Sequence, residues 1–263
     1  MGTERGDGSR RGHAEGDGTS GHEGGASGGD GASGGGLLVL WDIDQTLIEG
    51  GGVSRTAYAA AFTRVTGHEP RAVAGMAGRT ERAIATETLL MNGMPADPDT
   101  IERLNAALDE ELHARTDLLA TAGRALPGAA ETVLALAGLP DVHQSALTGN
   151  MRSLALLKLT VFGFADHIDL AAGAFGDDAL DRADLLPFAW RRARTHLGRS
   201  FGAAATVLVG DTVHDITAAT AHGARAVGVA TGTTTAAALT AAGADAVLPD
   251  LTDTPAALAA ILG

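Results

Sequence analysis

Residues 37–46 read LLVLWDIDQT, so five apolar residues lead directly into two aspartates, Asp42 and Asp44. An uninterrupted apolar run of this length is typical of a strand that is buried on both faces. Side chains two residues apart in an extended strand point to the same side, which brings the two carboxylates together. Such a pair is costly unless a cation lies between its members, and Mg²⁺ suits it because Mg²⁺ binds through a few carboxylates and retains several waters. The segment therefore predicts a buried strand with a divalent cation at its end.

Further short apolar runs follow along the chain and alternate with stretches of helical pattern. The runs are Val142–Leu147, Ile168–Ala172, Thr206–Val209, Ala226–Val229 and the weaker Ala246–Leu248. Between the later runs, helices are predicted at about 151–160, 183–197, 215–222 and 235–242. Strands separated by helices of this length predict an α/β fold, a Rossmann-like parallel sheet with helices on both faces. In such sheets ligands bind at the carboxyl ends of the strands, so the residues after each run are candidates for function.

About a hundred residues between the first two strands carry helical patterns without a strand signal. Ser54 and Thr80 are predicted to cap two helices, and Asp97 with Pro98 begins a third. Three helices exceed what one crossover needs, which favours an inserted helical cap over ordinary crossover helices. The predicted boundaries are 50–125 for the cap and 37–49 with 126–263 for the core.

The remaining residues, 1–36, contain fifteen glycines and none of Val, Ile, Leu, Phe, Trp or Tyr. Such a segment buries too little apolar surface to offset its ordering entropy, so a disordered tail is predicted.

The composition excludes several classes of partner. A formal net charge of −13 argues against a nucleic acid, whose phosphates the protein would repel. The absence of cysteine excludes disulfides and thiolate metal sites. No apolar run approaches the ~20 residues of a membrane span, and the N-terminus lacks the apolar segment of a signal peptide. A cytoplasmic protein without membrane partners is expected, whereas the oligomeric state is left open.

A second acidic pair follows the run that begins at Thr206. Asp211 and Asp215 are four residues apart, and they share one face if a helix begins at Asp211. Acids at a helix N-terminus are often caps, which is the simpler interpretation of this pair. Two acidic pairs at the ends of two parallel strands are better explained by a shared metal site.

Asp-x-Asp-x-Thr after the first strand and Gly-Asp-x-x-x-Asp after the later one resemble motifs of the haloacid dehalogenase (HAD) superfamily. The resemblance covers residues 37–263 and implies a Mg²⁺-dependent phosphohydrolase. It makes Asp42 the nucleophile that forms an aspartyl-phosphate, and Asp44 the general acid and base, whose carbonyl also binds Mg²⁺. Asp211 would bind Mg²⁺ directly, and Asp215 directly or through a metal-bound water.

The same resemblance assigns further residues. A Ser or Thr ends the second strand in this superfamily and binds the phosphoryl group, a position held here by Thr148, with the Gly149 amide beside it. The third motif is a basic residue. Arg182 is favoured, whereas Lys158, the alternative, is expected to lie more than two helical turns from the site.

Two short segments, Gly173–Gly176 and Gly228–Gly232, resemble phosphoglycolate phosphatases in particular. Gln45 stands where the superfamily usually has glycine, which places the geometry of that turn in question. In the predicted cap, residues 75–80 form the expected substrate-facing loop. Arg79 is its candidate ligand for an anionic group such as the carboxylate of phosphoglycolate.

Among the reactions of the superfamily, Asp44 argues against dehalogenation, which needs no proton donor for the leaving halide. The cap has no lysine to form a Schiff base, which argues against a phosphonoacetaldehyde hydrolase. A phosphatase acting on a small phosphorylated metabolite is therefore expected. A phosphomutase and a non-catalytic phosphometabolite-binding protein are the alternatives.

Overall fold

A parallel sheet of five strands is the centre of the computed structural model, which describes residues 1–2 and 36–263. The strands, in the spatial order β4-β1-β5-β6-β7, are β1 (Leu37–Trp41), β4 (Val142–Ala146), β5 (Thr206–Gly210), β6 (Arg225–Val229) and β7 (Ala246–Leu248). Each neighbouring pair in this sheet is parallel. The predicted disordered tail lies, apart from its ends, outside the described residues.

Helices cover both faces of the sheet. They are α5 (Ala129–Ala137), α6 (Arg152–Val161), α7 (Leu186–Leu197), α8 (Val213–Thr220), α9 (Ala236–Ala241) and α10 (Thr254–Leu262). The strand β1 alternates between the two cores: Val39 and Trp41 pack with α5, α6 and α10, whereas Leu38 and Leu40 pack with α7, α8 and α9. The predicted α/β fold with helices on both faces is confirmed.

The predicted strand at Ile168–Ala172 is wrong. Leu170–Ala172 is a short 3₁₀ turn, and the Asp169 carboxylate accepts a hydrogen bond from the Ala171 amide, which bends the backbone there. The segment still runs beside β4, where the Asp169 amide donates to Gln144 O at 2.9 Å, and an isolated bridge joins Leu147 to Ala174 just after it. Its apolar residues are buried as predicted, so burial alone did not identify the conformation.

Four helices lie between residues 49 and 124: α1 (Val53–Thr66), α2 (Glu81–Met91), α3 (Pro98–His113) and α4 (Thr116–Ala122). They pack around an apolar cluster that includes Tyr58, Phe62 and Leu108, and Leu154 of α6 joins this cluster from the core. The two ends of this helical segment meet in a short antiparallel pair, β2 (Ile48–Glu49) with β3 (Arg124–Ala125). The segment between this pair is called the insert below, and the domain boundaries at 50 and 125 remain a prediction.

Two of the three predicted helix starts in the insert are confirmed. Thr80 caps α2 by accepting from the Ala83 amide at 3.2 Å, and Asp97 caps α3 by accepting from the Thr100 amide at 3.0 Å. Ser54 is not a cap, because α1 already begins at Val53, after Gly52 in the left-handed conformation. In the described part of the chain, no helix combines the length and apolar character needed to cross a membrane.

Candidate active site

The candidate site lies at the carboxyl ends of the three adjacent strands β4, β1 and β5. The Asp42 amide donates to Val209 O at 2.8 Å, and the Leu147 amide donates to Trp41 O at 2.9 Å. Because parallel neighbours end at the same edge of a sheet, these bonds bring Asp42, Thr148 and Asp211 together. All three are buried.

Three acids, two directly after β1 and β5 and one in the first turn of α8, form a compact group. One carboxylate oxygen from each of Asp42, Asp211 and Asp215 lies within 4.8 Å of the other two. Burial raises the pKa of Asp42 to about 6, opposed by the charge of Arg182 and assisted by that of Asp215. Burial, followed by the charges of Asp42 and Asp215, raises the pKa of Asp211 to about 8. The ionised carboxylates therefore repel one another in a setting that lacks water to screen them.

Arg182 lies within this acidic group, as the sequence predicted. Its Nη2 atom is 2.6 Å from Asp42 Oδ1 and 2.5 Å from Asp215 Oδ1, and it donates to Leu147 O at 3.0 Å. The side chain is only 4% exposed. One guanidinium against three carboxylates leaves two negative charges, which is the charge that a divalent cation balances. The oxygen ligands and their charge fit Mg²⁺.

Asp215 contributes to this group indirectly. Its Oδ1 faces Arg182, and its Oδ2 accepts from the Thr212 amide at 3.0 Å and from Thr212 Oγ1 at 2.7 Å. These bonds complete a capping box, so α8 begins at Val213 and not at Asp211. Asp215 therefore takes part in capping α8, as the simpler interpretation predicted, and it also contacts Arg182 in the candidate site. Because both its oxygens are engaged, the geometry favours contact with a metal through water.

The turn after Asp42 tolerates the residue that replaces the usual glycine. Gln45 has a φ of 65° and is the one non-glycine residue with positive φ in the described chain. This conformation costs a residue with a Cβ atom roughly 1–2 kcal/mol. Its amide donates to Ile48 O at 2.7 Å, and its carbonyl accepts from Thr231, so the turn is held from both sides. The turn leaves Thr46 Oγ1 at 3.3 Å from Asp42 Oδ2.

Asp44 is held by a second basic residue. Lys158 Nζ donates to Asp44 Oδ2 at 2.6 Å and to Asn150 Oδ1 at 2.7 Å. Asn150 Nδ2 donates to Asp44 Oδ2 at 2.7 Å and to Thr148 Oγ1 at 2.9 Å. Burial alone would raise the pKa of Asp44, but the charge of Lys158 and these hydrogen bonds outweigh it and lower the pKa.

The expectation that Lys158 lies too far from the site is wrong. The helix α6 begins only at Arg152, and helical side chains point back toward the N-terminus, so the long lysine stem returns toward the strand end. The side chain is 2% exposed. Arg182 and Lys158 are therefore not alternatives in space: one contacts Asp42 and the other contacts Asp44. Asn150, which joins Lys158 to Thr148, was given no role by the sequence analysis.

Residues of the insert form the opposite wall of a cavity of about 240 Å³, which Asp42, Asp44, Thr148 and Asp211 line from the core. The insert residues that line it include Ser54, Arg55, Met76, Arg79 and Glu81.

Two contacts hold the start of α2 against the core. The Glu81 amide donates to Gly149 O at 2.9 Å, and Thr80 Oγ1 donates to Leu180 O at 2.7 Å. A Cβ atom on Gly149 would lie 1.8 Å from Arg79 O, so this approach requires glycine. Gly149 thus seats the insert beside the predicted phosphoryl site.

Arg79 lines the cavity as predicted, but its guanidinium is directed at the insert itself. It forms an ion pair with Glu87 and donates to Gly75 O at 3.4 Å and to Ala83 O at 3.3 Å. Its proposed contact with an anionic substrate group would have to compete with these partners.

In the absence of metal, we expect the free energy of unfolding to fall as the pH rises from about 5 to 8. The folded-state pKa values of Asp42 and Asp211 are raised above those of an unfolded chain, so the folded state binds more protons and loses stability as the pH passes through about 6 and about 8. A Mg²⁺ ion held by these carboxylates would stabilise the ionised folded form and should oppose the loss. Urea unfolding at both pH values, with EDTA or with Mg²⁺, measures this. A metal-free protein that is more stable at pH 8 than at pH 5 would contradict the expectation.

Comparisons with known proteins agree with this geometry. Residues 184–254 match a protein family described as HAD-hydrolase-like. No curated protein matches the chain in sequence.

Solved structures resemble nearly all of the described chain. A hydrolase from Pseudomonas syringae is 23% identical, with a TM-score of 0.61, and the match covers 86% of this chain and 98% of that one. A predicted phosphoglycolate phosphatase from Haemophilus somnus is 16% identical, with a TM-score of 0.62 and coverage of 84% and 96%. CbbY from Rhodobacter sphaeroides, solved in complex with phosphate, is 16% identical, with a TM-score of 0.63 and coverage of 87% and 100%. The chain therefore has the fold of the haloacid dehalogenase-like hydrolases, and its residues 184–254 match that family in sequence.

Proposed function

We propose that the chain is a Mg²⁺-dependent phosphatase that hydrolyses a small phosphate monoester through an aspartyl-phosphate at Asp42. The observation that carries this proposal is the setting of Asp42, which lies between Arg182 and Asp211 and faces a cavity. A protein that only bound phosphate would gain nothing from a buried carboxylate in its binding cavity, because the two anions repel each other.

In this reaction one Asp42 oxygen attacks the phosphorus and the alkoxide leaves. Arg182 offsets the charge that gathers on the transferring group and holds the Asp42 carboxylate in place. Thr148 and the Gly149 amide receive the phosphoryl oxygens. Bound Mg²⁺ would be held by Asp42, the Asp44 carbonyl and Asp211, with Asp215 behind them, and would neutralise phosphate charge.

Asp44 would protonate the leaving oxygen and then accept a proton from the water that hydrolyses the aspartyl-phosphate. The pKa of Asp44 is lowered by Lys158 and Asn150, which suits the second of these steps. A phosphate dianion beside Asp44 opposes this shift, because like charges favour the protonated form. Substrate binding therefore favours protonated Asp44, which can act as the acid. Once the leaving group has departed with that proton, Asp44 is ionised and can act as the base.

Hydrolysis of p-nitrophenyl phosphate by the purified protein tests the proposal. We expect phosphate release with Mg²⁺, a loss of at least ~100-fold on addition of EDTA, and recovery when Mg²⁺ is restored. Isomerised sugar phosphate formed without free phosphate would instead identify a phosphomutase. Absence of Mg²⁺-dependent release from every ester tested would favour a phosphometabolite-binding protein.

A further inference from the structure

Glu81 is a buried acid on the cavity wall that the proposed reaction does not use. The residue is 6% exposed and lines the same cavity as Asp44 and Lys158. Among the described residues, its Oε2 atom has no hydrogen-bond partner. Buried polar atoms in proteins are usually paired, so an unpaired atom on a residue that lines a cavity indicates a partner that comes from outside the chain.

Helix stability does not explain this acid. Glu81 is the first residue of α2. The helix dipole stabilises a glutamate at this position, and the side chain is commonly exposed to solvent. Here burial raises the pKa of Glu81 to about 7. The charge of Lys158 lowers this pKa, and the charge of Asp44 raises it. The carboxyl group is thus held at a cost that a solvent-exposed position would avoid.

The main chain fixes Glu81 where it is. Its own amide is bonded to Gly149 O, and the preceding Thr80 is bonded to Leu180 O. Both acceptors belong to the core, so the glutamate is fixed against the residues predicted to receive the phosphoryl group. A ligand seated there would meet the Glu81 carboxyl group at a defined distance.

A second residue of the insert that lines this cavity also has a buried polar atom without a partner. Ser54 Oγ is buried and unbonded among the described residues, and Ser54 lines the same wall. An ionised Glu81 only accepts hydrogen bonds, whereas a serine hydroxyl both donates and accepts. A hydroxyl group on the ligand satisfies both, because it can donate to Glu81 and accept from Ser54.

A carboxylate on the ligand does not fit this wall. An ionised carboxylate has no proton to donate to Glu81, and it would add a negative charge beside the carboxyl groups of Glu81 and Asp44, where Lys158 is the nearby cation. The cavity, at about 240 Å³, is also smaller than the ~300–1,000 Å³ of pockets for drug-sized ligands, which suits a short ester.

On the basis of the proposed phosphatase function, we propose that Glu81, together with Ser54, recognises a hydroxyl group in the organic part of the ester. The substrates are then small polyol or sugar phosphates, in preference to phosphocarboxylates such as phosphoglycolate. Glu81 acts in specificity and takes no part in the chemical step.

Three esters and two variants test this proposal. We expect the wild-type protein to hydrolyse glycerol 3-phosphate with a higher kcat/KM than phosphoglycolate. The Glu81→Ala variant should lower kcat/KM for glycerol 3-phosphate by about 10- to 100-fold, the range for a hydrogen bond to a charged group. It should change kcat/KM for phenyl phosphate, which has no hydroxyl group, by less than about threefold. Glu102→Gln, an exposed acid on α3, is the matched control and should change neither value.

Equal losses on glycerol 3-phosphate and phenyl phosphate would overturn the proposal, because a structural role affects both esters alike. A wild-type preference for phosphoglycolate would also overturn it. If no ester were hydrolysed, the proposed phosphatase function would be wrong, and the role of Glu81 would be tested by ligand binding. In that case, glycerol 3-phosphate should raise the Tm of the wild-type protein more than that of Glu81→Ala, while phenyl phosphate should shift both equally. The absence of that difference would refute the role of Glu81.

Discussion

Replacement of Asp42 by asparagine is expected to lower kcat by at least ~10³-fold. The amide has nearly the same shape and its oxygen can still accept from Arg182, so the site should keep its form. The amide cannot act as the nucleophile, and it removes one anionic oxygen from the acidic group. Phosphate release at saturating substrate gives kcat. Labelled phosphate retained on acid-quenched protein reports the aspartyl-phosphate, and we expect it in the wild type only.

Asp166→Asn provides the matched control, because Asp166 is an exposed aspartate outside the candidate site. We expect this variant to keep wild-type kcat and to retain the label. If Asp42→Asn kept more than a tenth of the wild-type kcat, Asp42 would not be the nucleophile.

Arg182→Met is expected to destabilise the metal-free protein by about 3–5 kcal/mol, the usual cost of removing one partner from a buried ion pair. The methionine fills much of the same volume, but it leaves Asp42 and Asp215 in the interior without their shared cation. Mg²⁺ should recover part of the loss, because it binds the same carboxylates. Urea unfolding at pH 7, with EDTA and with Mg²⁺, measures both values.

Arg124→Met is the control for this variant. Arg124 pairs with Glu49, but its side chain is 69% exposed, and an exposed ion pair contributes at most about 1 kcal/mol. Losses of similar size in the two variants would mean that Arg182 does not stabilise the acidic group.

The fold was largely predictable because its signals are local. The strand Leu37–Trp41 has the predicted bounds, and Thr80 and Asp97 cap helices as their side chains suggested. Ile168–Ala172 was misassigned because a short apolar run indicates burial without fixing the conformation. The hydrogen bond from the Ala171 amide to Asp169, which selects a turn there, gave no sequence signal distinct from that of a strand edge.

The candidate site was predictable where it depends on strand ends. Asp42 and Asp211 meet because the parallel strands β1 and β5 are neighbours, and the sequence order of the motifs implied this. The position of the Lys158 amino group depends on the length and direction of its side chain, which points back along α6. The prediction used only the helical rise per residue, which places the backbone and not the side chain. Glu81 was missed because an acid after a capping threonine is typical of any helix start. Its burial depends on the insert meeting Gly149, which is a contact between distant parts of the chain.

The antiparallel pair β2–β3 places both connections to the insert side by side. A recombination event that replaced the chain between Glu49 and Arg124 would therefore need to preserve this end-to-end spacing and the contacts with Gly149 and Leu180. The proposed nucleophile Asp42, Arg182 and the acids that follow β5 lie outside the exchanged segment, whereas Glu81 lies within it. Evolution can thus change which molecules such a protein accepts while the reaction is inherited intact.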